Sequence, residues 1–166
     1  MSRTDSSTTT ADELSTDSQP KKRRNRHRAT PATPTKKRAT SWERLLGTLL
    51  SADEVQFRLG LHNPEQLTRL TKERRLVTLP SKSGAVWYPA FQFAPNGMPY
   101  KELAPILRTF HEVLPDETAL HYMVASWLKT PQPYLEQETP LTWMKAERDT
   151  QRLREAAELS AGRLAH

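Results

Sequence analysis

The sequence predicts a mainly α protein: a small winged helix-turn-helix with a short β-hairpin, then a C-terminal helical bundle, behind a disordered basic N-terminal tail. Capped helical stripes recur from Ser41 onward, two strand-like runs flank a turn at 80–84, and all of the net charge lies in the first forty residues. Residues 1–40 hold ten Lys/Arg against four Asp/Glu, a net of +6, whereas residues 41–166 hold fifteen of each, a net of zero. The hydrophobic fraction, 36%, is low for one compact domain of this length. Setting the polar tail aside resolves the deficit, and the rest suits one small domain or two subdomains sharing a core. The expected division is a tail over 1–40, a winged helix over 41–93 and a helical unit over 94–166.

The chain has no cysteine, which excludes disulfides and thiolate metal sites. No apolar run approaches the roughly 20 residues that span a bilayer, and no hydrophobic leader opens the sequence. An intracellular protein with no membrane association is expected.

In the tail, Lys21, Lys22, Arg23, Arg24, Arg26, Arg28, Lys36, Lys37 and Arg38 follow one another with no acid among them. Met1 aside, Leu14 is the only sizeable aliphatic residue there, too little apolar surface to offset chain entropy. Such a segment is a counterion-releasing arm for a polyanion. A solubilising tail and a nuclear-import signal are the other readings the residues leave open.

Ser41 can cap a helix with apolar positions Trp42, Leu45, Leu46, Leu49 and Leu50. Ser51-Ala52-Asp53-Glu54 is a capping box, and the helix it opens ends at Gly60. Asn63-Pro64 starts the next, expected over 64–75. Two short helices joined through a glycine make a helix-turn-helix. On the second, Leu67 and Leu70 face inward and Arg69 and Lys72 lie opposite, with Gln66, Thr68 and Arg75 on the flanks. Arg74 projects toward the apolar side, at an end expected to fray. Leu76–Leu79 and Ala85–Tyr88 read as strands about a turn carrying Lys82. Helix, turn, helix and hairpin resemble the excisionase/MerR-like winged modules, whose second helix enters a DNA major groove. The expected DNA contacts are therefore Gln66, Thr68, Arg69, Lys72, Arg75 and Lys82, with the nine tail cations adding sequence-independent affinity for double-stranded DNA.

Beyond the turn at Pro95-Asn96-Gly97, Leu103, Ile106, Leu107 and Phe110 share a helical face, with Pro105 tolerable only in its first turn. Asp116 caps a helix with the stripe Leu120, Met123, Val124, Trp127 and Leu128. Thr139-Pro140 starts a third helix, and Asp149 a fourth that reaches Ala161 before Gly162. The run Tyr88-Pro89-Ala90-Phe91-Gln92-Phe93, the pair Leu114-Pro115, and the stretch from Ala125-Ser126-Trp127-Leu128 through Pro131-Gln132-Pro133-Tyr134-Leu135 to Thr139-Pro140-Leu141 resemble the Xre/MbcA/ParS-type antitoxin family. The likeness spans roughly residues 45–160 and is most specific over 125–141, where Gln132 stands at a position the family fills with Asn. It implies a bacterial, nucleoid-associated regulator whose C-terminal helices hold a RES-domain toxin. Trp127, Pro131, Pro133, Leu135, Pro140, Leu141, Trp143 and Met144 would form the contact. A homodimer would suit a palindromic site. Core packing is the competing role for Trp127, Leu128 and Leu141, and a turn-shaping role for Pro131 and Pro133.

Nothing points to catalysis, a metal or a cofactor. The histidines at 27, 62, 111, 121 and 166 show no His-Glu-x-x-His spacing, the five glycines form no phosphate loop, and Ser126 lacks a glycine elbow. The alternatives to a DNA-binding regulator with an antitoxin-like module are a protein-interaction module with no DNA role and a standalone phage or bacterial architectural or excisionase-like protein.

Overall fold

The computed structural model describes residues 41–165, with side chains from Arg44 onward. The expected disordered tail and its nine cations fall outside these residues. The described chain lies in one compact unit, Lys37–His166.

The first half runs α1 (Ser41–Leu46), β1 (Leu49–Leu50), α2 (Ala52–Leu59), α3 (Pro64–Lys72), β2 (Leu79–Pro80) and β3 (Val86–Pro89). The antiparallel sheet has the order β1-β3-β2, pairing Leu50 with Tyr88 and Leu79 with Trp87. This is a winged helix-turn-helix, and its caps are the expected ones. Ser51 Oγ accepts from the Glu54 amide while Glu54 Oε2 accepts from the Ser51 amide at 2.7 Å. Gly60, at φ 63°, closes α2 in the left-handed conformation that a residue without Cβ adopts most easily. Asn63 accepts from the Gln66 amide at 3.0 Å, with Pro64 in the first turn of α3.

Two expectations need correcting here. The first helix does not reach Leu50. Gly47 turns the chain at φ 76°, and Leu49 and Leu50 pair with Pro89 and Tyr88 instead. Likewise Leu76-Val77-Thr78 is buried but does not join the ladder. Its backbone polar groups find side chains: Val77 N–H donates to Gln92 Oε1 at 2.7 Å, Gln92 Nε2 donates back to Val77 O at 3.0 Å, and Thr78 N–H donates to His121 Nδ1 at 3.1 Å. Buried amides must be paired, and here two side chains do what a strand would.

The second half is α4 (Leu103–His111), α5 (Glu117–Leu128), α6 (Pro140–Lys145) and α7 (Thr150–Leu164). Asp116, Thr139 and Asp149 cap as expected, accepting from the amides of Ala119, Thr142 and Gln151. α7 continues through Gly162 to Leu164, three residues past its expected end. Phe110 and Trp127 meet at 5.4 Å between ring centroids, within a core completed by Leu120, Leu128, Leu153 and Ala157. Leu46, Val77 and Leu79 from the first half pack into this same core. A smaller cluster, with Leu50, Val55, Leu67, Leu76, Tyr88 and Phe93, lies beneath α2, α3 and the sheet.

Candidate nucleic-acid interface

α3 is held from below by Leu67, which is buried, and by Leu70 and Thr71, which are half-buried. Its other face is open. Thr68, Arg69 and Lys72 are exposed there, Arg75 just beyond the helix end, and Lys82 in the hairpin turn. Arg69, Lys72 and Lys82 make no ion pair with another described residue, and Arg75 has only a loose approach to Glu73 at 3.9 Å. Cations left without acidic partners on a protruding helix keep their full attraction for an anion.

The flanking polar residues are already engaged. Gln66 Oε1 accepts from the His62 amide at 2.8 Å, completing the start of α3, and Thr68 Oγ1 donates to Pro64 O at 3.1 Å. This leaves Arg69 and Lys72, three apart on one face, as the free heads of α3.

Arg74 does not fray. The helix stops at Lys72, Arg74 turns left-handed at φ 54°, and its guanidinium reaches back to Glu117 and to His111 Nε2, the latter at 2.9 Å. The other Glu117 oxygen lies 3.6 Å from His121 Nε2. Burial lowers the His121 pKa below the ordinary imidazole value, Glu117 opposes that shift, and Arg74 reinforces it. The same direction favours the ring form in which Nδ1 accepts from the Thr78 amide. These contacts fix the end of α3 and the buried segment that leads into the wing to the start of α5. Between α3, the hairpin and α5 lies a cleft of about 510 Å³ with Lys72, Val86, Tyr88, Glu117 and His121 on its walls. The i,i+4 spacing of Glu117 and His121 is local, but it gives no sign of Arg74 and Thr78, the partners 43 residues earlier in the chain.

The residues singled out for a protein partner fall into two groups. Trp127, Leu135, Pro140, Leu141, Trp143 and Met144 are buried, while Pro131 and Pro133 are exposed. Trp127 Nε1 donates to Ser160 Oγ at 2.9 Å and Trp143 Nε1 to Asp149 O at 3.0 Å, so both indoles spend their polar atom inside the fold. Arg148 and Arg152 stack on the Trp143 ring at 4.8 and 5.4 Å. Gln132, also buried, donates to Thr130 O and shapes the turn before α6. As placed, Trp127, Leu135, Leu141, Trp143 and Met144 build the core, with Pro140 buried at the start of α6.

Among the described residues no group of His, Asp and Glu could hold a metal ion, and no helix is long and apolar enough to cross a membrane. The architecture defines a winged helix-turn-helix joined to a helical bundle. No family model matches the sequence, and no curated protein is similar to it. Among solved structures, the NMR structure of Rv2175c is similar in fold, with a TM-score of 0.55 and 22% identity over 69% of this chain and 81% of that one.

Proposed function

We propose that the protein binds double-stranded DNA as a regulator, with α3 in the major groove and the hairpin turn against the backbone. The observation that carries this reading is the open face of α3, where Arg69 and Lys72 stand without acidic partners on a helix anchored at both ends. A recognition helix needs that combination, since base contacts demand a rigid platform and free donors. The hairpin brings Lys82 within reach of a phosphate, and the tail cations supply sequence-independent affinity. Fluorescence anisotropy with duplex DNA across a salt series tests it. Replacing Arg69 and Lys72 together by Ala should weaken binding by at least about tenfold and lower the slope of log affinity against log salt by up to about 2. Unchanged affinity and slope would remove α3 from the interface. An antitoxin role would place a RES-domain toxin on the C-terminal helices, where it would meet Pro131, Pro133 and Tyr134 rather than the indoles. Loss of co-expressed toxin neutralisation on changing these three is its test.

A further inference from the structure

The outer face of α7 carries a charge pattern that no ion pair among the described residues takes up, although Glu155 accepts hydrogen bonds from Tyr134 and Gln151. Glu155, Leu159 and Arg163 stand four apart and form one ridge along the helix. Leu159 is 50% exposed and Tyr134, which lines the same groove, 41%. A shallow groove of about 730 Å³ runs here, lined by Tyr134, Glu155, Glu158, Leu159, Gly162 and Arg163. Glu155 accepts from Tyr134 Oη at 2.7 Å and Arg163 Nε donates to Leu159 O at 3.2 Å, which holds both heads in place along the ridge. Neither makes an ion pair with another described residue. Gly162 is the second oddity: it sits inside α7, where Gly is unfavourable, and a Cβ there would meet nothing within 4 Å. No positive φ and no neighbour among the described residues requires a glycine at that position. It leaves a notch beside Leu159.

We propose that this face is the seat of a second copy of the chain, with the two α7 helices antiparallel about a two-fold axis at Leu159. The ridge is self-complementary. Positions 155 and 163 are equidistant from 159, so an antiparallel pair sets each Glu155 against the partner's Arg163, and Leu159 against its own counterpart. Such an isologous contact is closed by symmetry and stops at the dimer. The Gly162 notch lets the two helices approach over the apolar centre, and the carboxylate–guanidinium pairs at the rim fix direction and register. The assignment is independent of what α3 binds.

Analytical ultracentrifugation of the full chain over a concentration series reads the state directly, with thermal melts confirming that each variant folds. The parent should show a reversible monomer–dimer equilibrium by a concentration on the order of 100 μM, as suits a small interface. Glu155→Arg alone sets Arg against Arg, and Arg163→Glu alone sets Glu against Glu. Each should weaken dimerisation by about tenfold or more. Mixed in equal amounts, the two variants restore opposite charges at both ends and should form a heterodimer close to parental affinity. Leu159→Gln, at a half-exposed site, should weaken dimerisation while melting near the parent. A parent that stays monomeric across the series overturns the proposal, as does a mixture that associates no better than either single variant.

Discussion

Gln92→Leu is the sharpest probe of how the wing is held. The Gln92 side chain is fully buried and makes a two-way bridge to the Val77 backbone, accepting from its N–H and donating to its C=O. Leucine fills nearly the same volume but leaves both Val77 groups buried without a partner. Each orphaned group costs about 1–3 kcal/mol, and the apolar replacement recovers part of that, for a net loss of about 2–4 kcal/mol. At about 3–5 °C per kcal/mol for a domain of this size, the midpoint should fall by about 6–20 °C. Urea unfolding followed by tryptophan fluorescence gives the free energy, and an unchanged m-value confirms that the same surface is exposed. At neutral pH Gln92→Glu should cost at least as much, because it buries an ionised carboxylate that faces Val77 O and cannot donate to it. A loss under about 1 kcal/mol for both variants would refute the bridge as the support of this segment.

His121 gives a pH signature. Its folded-state pKa is depressed, chiefly by burial, so the stability it contributes is full above the unfolded imidazole value of about 6.5 and is lost as pH falls below it. Denaturation curves at pH 8 and pH 5 should therefore differ more for the parent than for His121→Gln; equal differences would free His121 from that role. Gly162→Ala should stabilise the monomer by about 0.5–1 kcal/mol, because the added methyl meets nothing and the helix gains a better former; differential scanning calorimetry at low concentration reads this. Asp149→Ala should cost about 1 kcal/mol by leaving the first amides of α7 uncapped, checked by the same melts.

What was legible in the sequence is what is local. Ser51, Asn63, Asp116, Thr139 and Asp149 each cap by accepting from an amide two or three residues on, so the starts of five helices could be placed from residue type and spacing alone. The hairpin turn and the open face of α3 follow from the same short-range rules. The rest depends on distant partners. Leu49 and Leu50 continue a helical stripe, and only pairing with β3, some forty residues on, makes them a strand. Gln92 lies in a Phe-Gln-Phe run that gives no sign of a core role. Trp127 and Trp143 carry the same apolar signature whether they line a partner surface or a core; their burial, with each indole N–H donated inside the fold to Ser160 Oγ or Asp149 O, shows them in the core here. Arg74 is predictable only as an interruption, since its partners Glu117 and His111 belong to other helices.

Contact through α3 is tested most directly by titrating duplex DNA into the isotopically labelled full chain and following backbone amides by heteronuclear NMR. Docking of α3 in the groove with the wing alongside predicts perturbations concentrated at Thr68–Arg75 and around Lys82, with α6 and α7 unmoved. Perturbations confined to residues 1–40, with the amides of α3 unchanged at saturating DNA, would contradict it.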